Sequence, residues 1–450
     1  MKKFLFFCAA AVLFSSCCET AKLTPSFTIS QTSLMMGVGA TGSIFITSDS
    51  DCSFTVTSDN PSVAIASLSE KTITVTGVSE GSATLTVNCP ATARYEAVAA
   101  KTCTVRVTAA TDLSAGGTAN SYIVSRAGVY MFNAMVKGSS EQSVGTPVSA
   151  VLLWESYGTS EKPSVNSIIA TLNYNNGYVT FSTPGVLRNG NAVIAVKDSK
   201  GVILWSWHIW VCKDFDPDAT AQVYNNNAGT MMDRNLGATS AAKGDVKALG
   251  LLYQWGRKDP FLDGNGISSV WQAASTLSWP SGVKSTGSTG TIDYSVRNPT
   301  TFIFGNDKNA DWYFTEDSTT DNTRWHSGKG SYDPCPAGWR VPDGGSSGVW
   351  AIAFGTGRPF ESSWDSVNRG MDFGSTEKKL GSGVIWYPAP GYRSISSGAL
   401  SSVGHESYYW SCSTNGRNAC CLGFYENGGI THATADSRSL GFAVRCIKMK

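Results

Sequence analysis

A mainly β protein is what this sequence predicts, with two β-sandwiches in series and a larger loop-rich domain after them. Three observations carry that expectation. Residues 23–107 alternate apolar and polar every second position, in SIFIT, CSFTVTS, KTITVTG, ATLTVNC and CTVRV, with Gly, Asn, Pro and Asp between the runs. Residues 115–211 repeat the pattern in GVYMFNAMV, AVLLWES, GYVTFSTP, NAVIAVKD and GVILWSWHIWV. Residues 222–450 hold ten of the 14 Trp, are rich in Gly, Ser and Asn, and show few long periodic runs. The 450 residues suit about three domains, and 42% apolar residues are enough to give each an ordinary core.

Charge narrows the function classes. The 35 Lys and Arg nearly cancel the 34 Asp and Glu, leaving +1. This balance excludes a strongly basic nucleic-acid footprint and an acidic solvating tail. Charged residues are only 15%, and the 11% aromatic content argues against a disordered chain.

The first residues read as an address. Lys2 and Lys3 precede the eleven-residue apolar run 4–14, too short to span a bilayer but suited to a signal segment. Ser15-Ser16-Cys17-Cys18 follows, and Ser16-Cys17 resembles a bacterial lipobox. That resemblance implies a signal peptide over 1–16 and lipidation of Cys17, with acyl chains that anchor the protein without a spanning helix. Export makes disulfides plausible among the remaining Cys.

Within the first sandwich (23–110), Cys89 and Cys103 flank the loop between the last two strands, where antiparallel pairing brings them close and leaves Cys52 over. In the second (112–215), the ten-residue run 202–211, VILWSWHIWV, reads as a buried strand. His208, beside Trp205 and Trp207, reads as a satisfied core residue. The acidic, Pro-containing stretch 213–218 reads as a linker. Helical signals in the last segment are confined to 245–255 and 348–354.

Two resemblances sharpen the picture. SDNPSVAIAS followed by KTITVTGVSEGSATLTV resembles the bacterial immunoglobulin-like group 2 domain, whose usual role is a spacer in surface proteins. Further on, GTMMDRNLGA (229–238), LLYQWGRKDPF (251–261), YDPCPAGWRVPD (332–343), YYWSCS (408–413) and GFAVRCIK (441–448) resemble, in order, the Fibrobacter succinogenes major paralogous domain. That family is abundant in lipoproteins of the Bacteroidota and looks related to the C-type lectin-like fold of formylglycine-generating enzymes and retroelement-diversified receptors. The resemblance implies two immunoglobulin-like β-sandwiches followed by a loop-rich α+β C-type lectin-like domain over 222–450. It also implies that Cys335 and Cys446 lie close; a disulfide there would close a loop of roughly 110 residues and contribute on the order of 4 kcal/mol.

Catalytic readings find little support in the residues. Gly344-Gly345-Ser346-Ser347-Gly348 fits G-x-S-x-G literally, but Pro342, Asp343 and two Gly before the Ser read as a loop, not a nucleophile elbow. Asp365 or Asp372 with His405 would complete a triad in chain order only. No HExxH, paired His or EF-hand loop is present, and the calcium-lectin tripeptides EPN, QPD and WND are absent, so no metal or cofactor is expected. The adjacent Cys420 and Cys421 suggest redox thiols only by analogy of fold.

The stretch 408–440 is the most informative for binding. Leu422 and Phe424 alternate with Cys421, Gly423 and Tyr425, which predicts one core face and one open face. The expected ligand face uses Arg417, Tyr425, His432 and Asp436, with Tyr392 and Arg393 of PAPGYR beside it, while Trp410, Leu422, Phe424, Phe442 and Val444 are buried. The function expected is non-catalytic: an outer-membrane lipoprotein, held by its N-terminal lipid at the cell surface, that binds an extracellular glycan or protein. The alternatives are a subunit of a surface assembly such as a pilus tip, and an enzyme of formylglycine-generating or hydrolase type.

Overall fold

The computed structural model describes residues 21–263, 274–279, 282–305, 311–317, 319–355, 364–375 and 379–450; the expected signal peptide over 1–16 and the expected lipidation at Cys17 lie outside them. The first sandwich contains eight strands: β1 (Phe27–Ile29), β2 (Ser33–Met36), β3 (Thr41–Ser48), β4 (Thr55–Ser58), β5 (Ala64–Ser69), β6 (Thr72–Gly77), β7 (Gly81–Cys89) and β8 (Val98–Val107). They form two sheets, ordered β1-β3-β6-β5 and β2-β8-β7-β4. Alternation does the work here: Ile73 and Val75 of β6, and Leu85 and Val87 of β7, turn inward while the Thr residues between them face outward. Strand β2 runs parallel to β8, Ser33 opposite Thr104 through Met36 opposite Val107.

The register corrects the expected Cys89–Cys103 pair. Cys103 stands opposite Leu85, whereas Cys89 stands opposite Val98 beyond a bulge. The two are therefore about four residues apart along the ladder, roughly 13 Å. Cys89 faces Cys52 instead.

The second sandwich follows directly. Its strands are β9 (Thr111–Asp112), β10 (Ser121–Val124), β11 (Val129–Asn133), β12 (Ser149–Ser156), β13 (Thr171–Asn175), β14 (Tyr178–Ser182), β15 (Gly190–Lys197) and β16 (Ile203–Val211). The sheets run β10-β16-β15-β12 and β13-β14-β11-β9, with β10 parallel to β16. The two sandwiches touch where Ala170 enters the first core and where Gly42 approaches Thr171, a Cβ at 42 falling 3.0 Å from the Thr methyl.

The surroundings of strand β16 explain its apolar richness. Trp205, Trp207, Ile209 and Val211 face the sandwich interior, and Trp210 on the opposite face joins the core of the C-terminal domain. Both faces are covered, so neither can be polar and solvated. The expected linker at 213–218 is correspondingly no free spacer. Phe215 is buried against Trp210, and the Arg234 guanidinium lies 3.9 Å from its ring centre.

In the C-terminal domain one sheet orders the strands Phe261–Leu262, Leu251–Gln254, Gly441–Ala443, Glu406–Asn415, Asn418–Tyr425 and Ile430–Asp436. A core lies on each face. Trp255, Trp410, Cys421, Phe442 and Val444 pack on one, and Leu252, Tyr409, Leu422, Phe424 and Ala443 on the other. Among the described residues the α-helices are α1 (Ile292–Arg297) and α2 (Val349–Phe354), the latter as expected. The other helical expectation, 245–255, gives a single 3-10 turn, Val246–Ala248, and then a strand. Gly250 decides this: its φ is +82°, and a Cβ there would fall 2.7 Å from that of Asn235.

The sequence motifs of this domain are its internal struts. Cys335 and Cys446 are joined by a disulfide with their Cα atoms 6.1 Å apart. Asp333 receives the backbone N–H groups of Cys335 (2.8 Å) and Val341 (2.9 Å) and pairs with Lys329 at 3.2 Å, while the Lys329 ammonium donates to the carbonyls of Cys335 and Trp339. Arg445 stacks 3.7 Å from the ring centre of Tyr387 and donates to Asn235 and to the Trp386 carbonyl. Trp410, Leu422, Phe424, Phe442 and Val444 are all buried.

Candidate ligand-binding site

The expected recognition face is not assembled. Arg417 is exposed in the turn between Glu406–Asn415 and Asn418–Tyr425, and Tyr425 closes the far end of the second strand. Tyr425 stands eight positions beyond Arg417 along the chain, about 26 Å. Tyr425 sits edge-on to Tyr408 at 5.8 Å, on one side of the sheet. His432 meets Phe354 of α2 edge-on at 5.9 Å, on the other side. Asp436 lies opposite Ala419, half-buried, and burial pushes its carboxyl up. The physical reason is the double cover of Asn418–Tyr425: its two faces feed two cores, so alternation separates one core from another rather than core from solvent. Tyr392 packs edge-on against Tyr408 and Phe442. Arg393 is buried and used up, donating to the carbonyls of Leu262 and Gly398, and burial pushes it down to about 10.

The catalytic candidates are likewise held apart. Ser346 is exposed on the 3-10 turn Gly345–Ser347. Asp372 pairs with Lys243 at 2.7 Å and accepts the N–H groups of Gly374 and Ile385. Asp365 caps its own turn through Val367 and Asn368, and His405 binds Glu426 at 2.7 Å. Among the described residues no hydrogen bond joins Ser346, His405 and either Asp. Cys420 and Cys421 are buried, and burial raises both thiols, which lowers the thiolate fraction needed for redox attack. Among the described residues no three His, Cys, Asp or Glu side chains group as a metal site.

His208 occupies the junction of two domains. Asn191 donates to the Gly237 carbonyl through Nδ2, which turns its Oδ1 toward His208 Nε2 at 2.8 Å, so Nε2 carries the proton. Nδ1 is then left to accept from Ser121 Oγ at 3.0 Å. Burial pushes the ring down to about 3, so it stays neutral. An unfolded His binds a proton near 6.5, so the unfolded state gains protons first as the pH falls, and stability is lost from about 6.5 downward to the folded value. From pH 7 to pH 5 this residue is expected to remove about 2 kcal/mol. Urea unfolding of wild type and His208→Gln at both pH values measures it; equal pH dependence in the two proteins would refute the assignment. Beside it lies a second buried cluster, in which Ser206 donates to Asp259 at 2.6 Å and Lys258 reaches both.

What sequence reasoning missed is the seam itself. Where the second sandwich meets the C-terminal domain, a cleft of about 520 Å³ opens between Tyr122, Ile123 and Arg126 on one wall and Pro336, Ala337 and Trp339 on the other, with 214–218 along its floor. Arg126, Asp214, Asp216 and Asp218 are exposed there, and Asp218 is held by Lys448 at 2.9 Å. The only forward signal was the acidic run 213–218, which composition alone could not place against CPAGWR.

Residues 24–105 match the family model of the bacterial Ig-like domain, group 2, so the first sandwich is an immunoglobulin-like domain of that group. No curated protein matches the chain. Among solved structures, it is similar to a chimeric titin Z1Z2 carrying a peptide from decorin, at 12% identity and TM-score 0.17, over 44% of this chain and 100% of that one. It is also similar to the SGBP-B protein of the Bacteroides ovatus mixed-linkage glucan utilization locus, solved with a mixed-linkage heptasaccharide, at 15% identity and TM-score 0.15, over 42% of this chain and 48% of that one. A third is the surface layer protein SbsC, domains 4–9, at 17% identity and TM-score 0.18, over 47% and 37%. Scores this low assign no role to any of this chain's residues.

Proposed function

We propose that this chain is a non-catalytic envelope lipoprotein of the Bacteroidota type, anchored in the outer membrane through Cys17 and displayed at the cell surface. Its immunoglobulin-like group 2 domain is the spacer. The second sandwich and a C-type lectin-like C-terminal domain form the recognition unit, which binds an extracellular glycan or protein. The observation that carries this reading is the seam cleft: its walls come from two domains that share one core, so it is preformed, and charged groups rim it. Mixed Arg and Asp donors and acceptors between walls of Ile123, Pro336, Ala337 and Trp339 suit hydroxyl-rich or polar peptide ligands.

The test separates anchor from site. Cys17→Ala is expected to move the protein from the membrane fraction to the soluble fraction without changing ligand binding. Arg126→Glu is expected to weaken binding at least tenfold on a glycan and cell-surface protein array, with the melting temperature within ~1 °C of wild type, as is usual for an exposed position. A soluble, unacylated wild type would dispose of the anchor. Undiminished binding by Arg126→Glu would remove the cleft from consideration.

A further inference from the structure

The first sandwich contains a pair of thiols that the functional reading leaves unused. Cys52 lies in the connection between β3 and β4, and Cys89 ends β7; their sulfur atoms are 3.2 Å apart across 37 positions of sequence. The connection is aimed by its serines. Ser50 donates its backbone N–H to Ser48 Oγ at 3.1 Å, and Cys52 donates its own to Ser50 Oγ at 3.2 Å. Cys103 stands apart, its sulfur turned toward the Thr104 carbonyl at 3.9 Å. A disulfide needs sulfur atoms about 2.05 Å apart, so closing this pair takes a side-chain movement of about 1 Å rather than a backbone shift.

Access differs between the two. Cys89 is 1% exposed, whereas Cys52 is partly open to solvent. We propose that Cys52 and Cys89 are a disulfide-forming pair in which Cys52 is the entry thiol, and that their bond clamps the β3–β4 connection onto the end of β7. The oxidant is a disulfide of the glutathione or protein dithiol class. The Cys52 thiolate attacks one donor sulfur, the donor's S–S bond breaks, and the departing thiolate takes up a proton. The Cys89 thiolate then attacks Cys52 Sγ and expels the second donor thiolate. Two protein thiols and one donor disulfide become one protein disulfide and two donor thiols, so the donor gains the two electrons the protein loses. The bond closes a loop of some 37 residues in the unfolded chain, which is where most of its stabilisation arises.

The experiment uses the purified full chain. Samples are equilibrated in reduced or in oxidised glutathione, free thiols are blocked with an alkylating reagent, and non-reducing peptide mapping follows. A peptide joining Cys52 to Cys89 is expected after oxidation only. The unfolding midpoint of the immunoglobulin-like domain should rise on the order of 10 °C on oxidation. That rise should vanish in Cys52→Ser and persist in Cys103→Ser. Full alkylation of both Cys52 and Cys89 after oxidised glutathione overturns the proposal, and so does recovery of Cys89 joined to Cys103. Because mapping is done on wild type, the result does not depend on any variant folding.

Discussion

Asp333→Ala is expected to cost about 4 kcal/mol of stability, the largest effect of a single polar substitution argued from this structure. Three donors converge on that carboxylate: the Lys329 ammonium and the backbone N–H groups of Cys335 and Val341. Lys329 and Asp333 are both buried. Removing the carboxylate strands a cation in a site whose burial already pushes the Lys329 ammonium down, and it orphans two N–H groups. Lys329→Met is the informative contrast. It leaves the carboxylate its two backbone donors, so its cost is expected to be smaller. Chemical denaturation of the two variants gives the order; a larger loss for Lys329→Met would show that the ammonium, not the carboxylate, organises the turn.

Phe424→Ala is expected to cost roughly 3–5 kcal/mol through the cavity it leaves. The ring is fully buried, stacks on Tyr409 at 6.1 Å, and meets Phe373 edge-on at 5.5 Å. Tyr387 extends the same aromatic group through Phe373 and Tyr409. The rigid rings of Trp364, Phe373 and Tyr409 resist collapse into the space, which puts the cost at the upper part of the range. An unfolding free energy within ~1 kcal/mol of wild type would mean the site relaxes freely and the rigidity argument is wrong.

Much of the fold was legible where one physical signal acted alone. Period-two alternation marked the strands of the first sandwich, because each has one core face and one wet face. The run 202–211 was legible as a buried strand, but not what buries Ser206, His208 and Trp210, since periodicity reports that a face is covered and not by which domain. The same limit misread Asn418–Tyr425. Arg393 shows a further one: an Arg next to a Tyr in a Gly- and Pro-rich stretch looks like a surface contact, yet here it ties the carbonyl of Leu262, at the end of a strand, to that of Gly398 in a turn. The seam cleft was invisible for a different reason. Its walls lie some two hundred residues apart, and no local pattern encodes which surfaces of two domains come to face each other.

The parallel pairing of β2 with β8, and of β10 with β16, has a mechanical meaning. In each sandwich an early strand lies alongside the last one and points the same way. Tension entering from the N-terminal side and leaving toward the C-terminal side therefore slides the two strands lengthwise past each other. Their hydrogen bonds are loaded together, in shear, instead of being peeled open singly, and the unfolding rate under load is what governs survival. Single-molecule stretching should accordingly find high rupture forces when the chain is pulled by its ends, and markedly lower ones when the pulling points are moved to β4 and β7, which are antiparallel and open from one end. A sandwich built this way yields last along the axis that joins its own two chain ends.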